Sequence, residues 1–345
     1  MISNRKIEHV RIIANENVQH DHNYWNDIEI VQKSMPEVNL DDIDISLEFY
    51  GIRLKAPIII SSMTGGHPET KKINENLAIA AAEKGIGMGV GSERAAIEHP
   101  ELGDTFSIVS EYDVPLRIAN IGAPQLIDQR KPALTDENIE YAIQLIKAHF
   151  LAVHFNFVQE MIQPEGDTNG YGVYSRLESI AKKFNIIAKE TGAGFSKTDI
   201  INFKKIGIKA IDVGGRSGTS FSAVEAYRRN SDSNIDTSTL FWNWGIPSPI
   251  SVKYSSGILP TIASGGIRSG VDVFKGLILG AKMAGSASPF LKAALVSDRE
   301  VVKLIEQFER QLKIVMLLTG CRNLEDIRNV RYVITGRLSE WWSQY

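Results

Sequence analysis

A short apolar run that ends in polar residues occurs eight times along the chain, and this repetition constrains the fold more than any other feature. The runs are rich in β-branched residues, and helix-compatible segments join seven of them to the next. Strands buried on both faces and connected by helices form a parallel sheet, and eight such units close into a barrel. We therefore predict an α/β protein with a (β/α)8 TIM-barrel fold. In order, the runs are APIIISSM, GIGMGVGSER, PLRIANIG, FLAVHFNF, NIIAKETGAG, KAIDVGGRSGTS, PTIASGGIRSG and AKMAGSASP.

The segments between these runs have helical patterns, and residues 298–318 predict a final long helix. A doubly wound Rossmann sheet is disfavoured because no GxGxxG follows an early strand. The predicted connecting helices are 69–84, a stretch after Pro100, 136–147, 174–183, 197–206, 221–229 and 271–279.

The same pattern divides the chain into three parts. Residues 1–50 are a polar, irregular N-terminal arm and lead-in, and residues 51–320 are the barrel. A Ser-, Trp- and Asn-rich stretch, 230–258, is predicted as an insertion between units six and seven. Residues 321–345 are predicted as a C-terminal appendage.

Composition excludes several classes of function. The chain has 345 residues, with 38 basic and 41 acidic residues and a net charge of −3, which argues against a nucleic-acid-binding surface but allows a local basic pocket. Its one cysteine, Cys321, rules out a disulfide framework or a Cys-based zinc site within one chain. The polar start MISNRKIEHVRI and the lack of a long apolar run predict a cytoplasmic protein without membrane segments.

Polar residues follow nearly every predicted strand. The carboxyl ends of barrel strands form the active face, so these residues are functional candidates as a set. Helix caps and turn glycines would explain many of them, but not Lys189 at the end of an apolar run or Arg94 two residues after Ser92. The candidates are Ser62, Thr64, Ser92, Arg94, Asn120, His154, Asn156, Lys189, Thr219, Ser220, Gly265 and Gly266.

The stretch LAVHFNFVQEMIQPEGD, residues 151–167, is the richest in polar groups. In a strand, His154 and Asn156 share a face, and Gln159 and Glu160 follow where the chain turns away. This group suits a polar ligand or a hydrated divalent cation, for which carboxylate oxygen is a favoured ligand. The alternative is that His154 is a core histidine and that the acidic residues only solvate a loop.

Runs seven and eight predict an anion site. Two adjacent glycines and then a Ser-Gly pair open one helix, and GSASP repeats the arrangement on a smaller scale. Backbone N–H groups at such helix starts bind phosphate, and barrels commonly hold phosphate in loops seven and eight. Lys189 could face the electron-rich side of a bound ring, or it could form a Schiff base as in barrel aldolases.

With these residues assembled, the sequence resembles the type II, FMN-dependent isopentenyl diphosphate isomerase family over almost its whole length. The resemblance implies a cytoplasmic homo-oligomer, a tetramer or octamer, that interconverts isopentenyl and dimethylallyl diphosphate (EC 5.3.3.2) for isoprenoid biosynthesis. It also implies reduced FMN and Mg²⁺ as cofactors and NADPH as reductant. The motifs are RKIEHV, SSMTGG, GVGSER, ANIGAPQ, HFNFVQEMIQPEGD, KETGAGFSK, DVGGRSGTS, WGIP and ASGGIRSGVDVFKG.

The resemblance also assigns roles to residues. His154 and Gln159 would be catalytic, Glu160 would bind magnesium, and Arg5 and Lys6 would form a cationic lid that becomes ordered with ligand. One departure is Ser217, where many members have glycine, so that the loop after strand six would approach the cofactor differently. The substrate diphosphate would contact Arg5, Lys6, Ser92, Arg94, His154 and Gln159. FMN would contact Ser62, Met63, Thr64, Ser92, Asn120, Lys189, Thr219, Ser220, Gly265, Gly266, Ile267, Ala287 and Ser288.

Moving a double bond requires protonation of one carbon and deprotonation of another. The strand ends show no paired carboxylates in an acid–base arrangement, and Cys321 lies beyond the barrel. Our hypothesis is that reduced FMN is the acid–base catalyst and that the protein positions it.

Two other functions compete with this one. An FMN-dependent barrel oxidoreductase of the 2-hydroxy acid or dihydroorotate type would share SGGIRSGVDVFKGLILGA, but it would leave Arg5, Lys6 and QEMIQPEGD without a purpose. A catalytically silent flavin- or phosphate-binding protein would not need His154, Gln159 and Glu160 together.

Overall fold

The computed structural model describes residues 2–229 and 235–344, and eight parallel strands within them close into a barrel. Each strand pairs with the next in the chain, and the last pairs with the first. The predicted (β/α)8 barrel is confirmed. The strands are β1 (Ile58–Ile60), β2 (Gly87–Gly89), β3 (Leu116–Gly122), β4 (Phe150–Phe155), β5 (Ile186–Glu190), β6 (Ala210–Asp212), β7 (Thr261–Ala263) and β8 (Met283–Ser286).

Helices surround the barrel, and those predicted to start at 69, 136, 174, 197, 221, 271 and 298 begin within one residue of those positions. Capping boxes at Thr135 and Ser196 satisfy the first N–H groups of two of them. The helices are α1 (Ile2–Asn15), α2 (Pro68–Lys84), α3 (Arg94–Glu98), α4 (Asp104–Ser107), α5 (Asp136–Leu145), α6 (Phe157–Ile162), α7 (Val173–Ala181), α8 (Lys197–Lys205), α9 (Phe221–Arg229), α10 (Ile235–Leu240), α11 (Ser248–Ser255), α12 (Gly270–Ile278), α13 (Ser288–Ala294), α14 (Asp298–Thr319) and α15 (Gly336–Ser343). Single 3-10 turns lie at Tyr24–Asp27, Leu40–Asp42, Pro100–Leu102, Ile108–Glu111, Ala123–Leu126 and Asp326–Asn329.

Apolar side chains fill the amino-terminal half of the barrel interior. Ile59, Ile187 and Ile262 point inward from their strands and form one buried cluster. A hairpin of strands Leu47–Phe49 and Ile52–Leu54 closes this end, and the Phe49 ring lies 5.5 Å from the Phe150 ring. Because this half is filled, a ligand can enter only at the carboxyl ends of the strands.

Helix α14 is the long helix predicted after the barrel. Its buried residues recur with helical spacing, and it packs against α2 and α12. It ends at Gly320, whose φ of 73° is the left-handed conformation that glycine adopts most easily. No helix in the part of the chain that the structure describes, α14 included, combines the length and apolar character that a membrane span requires.

The lead-in is more ordered than the sequence indicates. Residues predicted as irregular form α1, which packs against α9 and α13 at the open end of the barrel. Further along, strand Ile28–Ile30 pairs antiparallel with strand Tyr332–Ile334 of the C-terminal segment. Ile7, Val10 and Ile28 of this region are buried, which a polar composition did not reveal.

The structure corrects the assignment of the sixth crossover helix. Helix α9, predicted for that place, packs against α1 and α6 at the open end instead. Helix α11 packs against α8 and β7, where a crossover helix belongs. The predicted insertion 230–258 therefore contains a barrel helix in its second half, and its residues 230–234 lie outside the described residues.

We expect Asp27→Ala to destabilise the protein by about 1–2 kcal/mol. One Asp27 oxygen accepts the Leu338 N–H at 2.9 Å and lies 2.8 Å from His22 Nε2, so this carboxylate caps α15 from a distant part of the chain. Urea denaturation measures the loss. Asp41→Ala, at an exposed aspartate, is the matched control and should change stability little. Equal stabilities for the two variants would contradict the capping role.

Candidate active site

A cavity of about 750 Å³ lies at the carboxyl ends of the barrel strands. Helix α1 covers part of it, because Arg5, His9 and Ile13, spaced four apart, face inward on one side of the helix. Every barrel strand or the loop that follows it contributes to the wall. Their contributions include Ser61, Ser62, Gly91, Ser92, Asn120, His154, Lys189, Gly214, Ser264, Gly285 and Ser286.

All but one of the predicted cofactor, substrate and metal residues line this single cavity. The exception is Ser220, whose hydroxyl donates to the Trp242 carbonyl at 2.7 Å and stays outside the cavity wall. The residues brought together are Arg5, Lys6, Ser62, Met63, Thr64, Ser92, Arg94, Asn120, His154, Gln159, Glu160, Lys189, Thr219, Gly265, Gly266, Ile267, Ala287 and Ser288.

One end of the cavity carries a group of cations. Burial, together with the nearby Arg5 and Arg94 guanidinium groups, lowers the pKa of Lys6 to about 7. Among the described residues no carboxylate forms an ion pair with Lys6, so the lysine has no partner of its own that offsets this repulsion. A polyanionic ligand would offset it.

Arg94 is held in place by two carboxylates. Its Nε lies 2.9 Å from Glu98, one turn along α3, and its NH1 lies 2.9 Å from Asp167. Asp167 also accepts a hydrogen bond from Gln125 at 3.2 Å. The guanidinium is therefore oriented before any ligand arrives.

His154 is a neutral imidazole in the cavity wall. Burial lowers its pKa to about 3, and the neighbouring Lys6 and Lys189 ammonium groups contribute to the shift. Its Nδ1 lies 2.7 Å from Asn120 Oδ1, and this contact fixes the ring. The alternative reading of His154 as a core histidine does not hold, because it is partly accessible and faces the cavity.

Glu160 sits in a buried network beside His154. Asn156 donates to one carboxylate oxygen at 3.0 Å, while the Asp167 N–H at 2.8 Å and the Gln163 amide donate to the other. Within the described residues no three His, Cys, Asp or Glu side chains form a metal site. Any metal at Glu160 would therefore need oxygens from a ligand or water.

Glu225, which sequence reasoning missed, connects α1 to Gln159. It accepts from Gln159 at 2.9 Å, lies 3.0 Å from His9 Nε2 and pairs with Arg228 at 2.5 Å. Burial opposes its ionisation, but these partners outweigh it and lower the pKa of Glu225 to about 2. No sequence signal indicated this role, because the helix that carries Glu225 was predicted as an ordinary crossover helix.

The glycine turn after β7 depends on the lead-in. Trp25 Nε1 donates to the Gly265 carbonyl at 2.8 Å, and the Asn23 amide donates to the Gly266 carbonyl at 3.0 Å. Gly266 has a φ of 88°, and a Cβ there would lie 2.3 Å from the Ser217 carbonyl oxygen. The Ser217 side chain itself turns away from the cavity and donates to the Arg216 carbonyl at 2.7 Å.

Several polar atoms in the wall are buried and lack a hydrogen-bond partner within the described protein. They include Ser61 Oγ, Thr64 Oγ1 and Asn156 Oδ1. Buried polar groups are normally satisfied, so these atoms indicate a ligand with several hydrogen-bonding groups. A flavin has such a polar edge, and the cavity is large enough for a cofactor and a small substrate together.

Comparisons with known proteins identify the family. Isopentenyl-diphosphate delta-isomerase of Thermoplasma volcanium is 51% identical over 99% of both chains, and that of Picrophilus torridus is 49% identical over 100% of both. The chain belongs to the isopentenyl-diphosphate delta-isomerase family. Residues 187–333 also match the model of the FMN-dependent dehydrogenase family, in agreement with the type II branch of these isomerases. The family recognised from the sequence motifs is confirmed.

Solved structures of more distant proteins share the fold of this isomerase-family chain. A flavocytochrome b2 variant with sulfite bound has a TM-score of 0.67 and 17% identity, covering 94% of this chain and 82% of its own. A mandelate oxidase variant with a C4a-OH-FMN adduct has a TM-score of 0.59 and 15% identity, covering 96% and 91%. At this identity the likeness shows the barrel alone.

Glu93, also missed from the sequence, supports the wall from behind. It is fully buried, one carboxyl oxygen accepts the Asn120 N–H at 2.8 Å, and the other has no partner within the described protein. Burial raises the pKa of Glu93 well above its usual 4.5. The acid therefore resists ionisation, and it holds the strand that carries Asn120.

We expect Glu93→Gln to stabilise the protein more at about pH 8 than at about pH 5. The folded pKa of Glu93 is raised above the unfolded value of 4.5, so its contribution to stability is full below that value and is lost as pH rises through the folded pKa. A neutral amide has no such loss. Thermal melting across this pH range measures the difference, with Glu101→Gln at an exposed site as control. A pH-independent difference would contradict the raised pKa.

Proposed function

We propose that this protein interconverts isopentenyl diphosphate and dimethylallyl diphosphate in isoprenoid biosynthesis. The observation that carries the proposal is the unpaired Lys6 ammonium, which faces the cavity beside Arg5 and Arg94. A diphosphate supplies the negative counter-charge that Lys6 lacks. Each guanidinium group can also bind two phosphate oxygens at once. Full-length relatives at 41–51% identity carry the name of this isomerase, which supports the same substrate.

We infer that FMN is the bound cofactor. Lys189, Asn120 and Thr64 would contact the polar edge of its ring, and the turns at Gly265 and Ser288 would hold its phosphate. The remaining contacts would be those predicted above, apart from Ser220, whose side chain lies outside the cavity wall. Bound in its reduced form, FMN would supply the acid–base chemistry of the isomerisation.

The protein's own side chains would bind, orient and shield the substrate. Arg5, Lys6, Ser92 and Arg94 would hold the diphosphate end. Val10 and Ile13 of α1 line the cavity from above and would keep water from the hydrocarbon end. His154 stays neutral, as its low pKa indicates, and with Gln159 it would hydrogen-bond the substrate rather than carry charge to it.

Magnesium would bind between Glu160 and the substrate diphosphate. Mg²⁺ usually takes one or two carboxylates and completes its octahedral shell with phosphate oxygens and water. The lone Glu160 carboxylate fits that pattern better than an all-protein site. NADPH would serve as the reductant of the flavin.

We also propose a cytoplasmic homo-oligomer, a tetramer or octamer, as the working form. Tyr171 and Trp244, which are 92% and 58% exposed, are candidates for contact between copies. An FMN-dependent oxidoreductase of the 2-hydroxy acid or dihydroorotate type is the alternative, favoured by the shared barrel and by the match of residues 187–333 to the FMN-dependent dehydrogenase model.

We expect Glu160→Gln to raise the Mg²⁺ concentration needed for half-maximal activity by at least about tenfold, since metal affinity falls this far even when an outer partner is lost. Magnesium titration of the initial rate measures this, and a thermal melt verifies folding. Glu178→Gln, on the outer face of α7, is the matched control. Unchanged magnesium dependence would remove Glu160 from the metal site.

Once the flavin is reduced, we expect product to accumulate without net consumption of NADPH. Isomerisation leaves the redox state of the substrate unchanged, so the electrons stay on the cofactor. Anaerobic assays that follow NADPH absorbance and dimethylallyl diphosphate together measure this, with an assay lacking substrate as control. One NADPH oxidised per product molecule would count against reduced FMN as the acid–base catalyst.

A further inference from the structure

Lys189 has a buried partner that the sequence did not reveal. Lys189 on β5 and Asp212 on β6 lie directly opposite each other in the barrel ladder. The Lys189 ammonium donates to Asp212 Oδ2 at 2.8 Å, and the two residues are only 7% and 5% exposed. Lys189 lines the cavity and Asp212 does not. The Lys189 ammonium therefore borders the cavity, while the carboxylate that pairs with it lies outside the cavity wall.

The Asp212 carboxylate is fixed through both of its oxygens. The Ser264 hydroxyl on β7 donates to Oδ1, the oxygen that Lys189 leaves free. The same hydroxyl accepts the Gly214 N–H at 2.8 Å, so its orientation is set as well. Three adjacent strands thus hold the Lys189 side chain in one direction.

The other groups around Lys189 do not replace this carboxylate. From β4, His154 lies opposite Lys189 in register and is neutral, with its pKa lowered to about 3. From α1, Lys6 and Arg5 add positive charge near the same imidazole. Glu190, next on β5, directs its carboxylate to the loop 191–194, where it accepts backbone N–H groups. Among the described residues, Asp212 is the carboxylate that pairs with Lys189.

We propose that Asp212 is a positioning residue that keeps the Lys189 ammonium charged and directed into the cavity, and thereby sets the charge presented to a flavin ring. This inference rests on the proposed FMN site. A buried amine favours its neutral form unless an opposite charge lies beside it. Without Asp212, Lys189 would lose its proton more easily and would no longer stabilise negative charge on the reduced ring.

The test is the midpoint potential of bound FMN, followed by dye equilibration from about pH 6 to about pH 9 in the full chain. Wild-type protein should show only the pH dependence of the flavin. Asp212→Asn should show an additional fall with rising pH, equivalent to about a tenfold loss of relative affinity for reduced FMN. The double variant Lys189→Met with Asp212→Asn should lack this fall, because no amine remains to titrate.

Controls separate a structural role from a positioning role. Asp41→Asn, at an exposed site, should follow wild type. If the role of Asp212 were only structural, Asp212→Asn would lower the melting temperature but leave the pH profile of the midpoint potential parallel to that of wild type. That result would overturn the inference.

A variant that fails to fold does not end the test. Ser264→Ala keeps the Asp212 charge but frees the carboxylate, so a smaller fall in the same direction is expected. A profile identical to wild type in that variant would overturn the inference. Failure of wild-type protein to bind FMN would overturn both the proposed function and this inference. A pH profile parallel to wild type in FMN-bound Asp212→Asn would overturn this inference alone.

Discussion

The backbone ladder between β3 and β6 is the constraint on which the site depends. Its register places Gly122 opposite His154, His154 opposite Lys189, and Lys189 opposite Asp212. Adjacent strands lie about 4.8 Å apart, so the side chains of His154, Lys189 and Asp212 are neighbours without any loop having to place them. A slip of one residue in any strand would turn its side chain to the opposite face and break the row. The chemistry of the cavity is therefore set by hydrogen bonds among main-chain atoms.

Near this row, some of the described cationic side chains form ion pairs with carboxylates and one does not. Arg94 and Lys189 each have a carboxylate behind them, whereas Lys6 has none among the described residues. The paired cations are held in position before ligand binds, and the unpaired one supplies the driving force for an anion to enter. The neutral imidazole of His154 lies between the two kinds of cation and adds no further positive charge.

The sequence predicted the features that depend on local pattern. Helices such as α8 and α14 begin at serine caps and follow helical spacing, and the barrel follows from eight buried runs. The candidate site residues at the strand ends were predicted because parallel strands place all of their carboxyl ends on the same side of the barrel. The rest depends on contacts between distant segments: Asp212 pairs across strands, and Glu225 reaches Gln159 from a helix whose sequence resembles an ordinary crossover. The order of α1 and the place of α11 likewise depend on packing that no single segment contains.

The pairing of strand Ile28–Ile30 with strand Tyr332–Ile334 bears on how the molecule is made. The lead-in also carries Trp25, which holds the Gly265 carbonyl in the turn after β7. During synthesis this early segment has no strand partner until residues 332–334 have left the ribosome. The barrel strands can assemble before that moment, but the turn that borders the cavity acquires its full support only afterwards. Full support of the turn after β7 therefore depends on residues 332–334, which are synthesised after all the barrel strands.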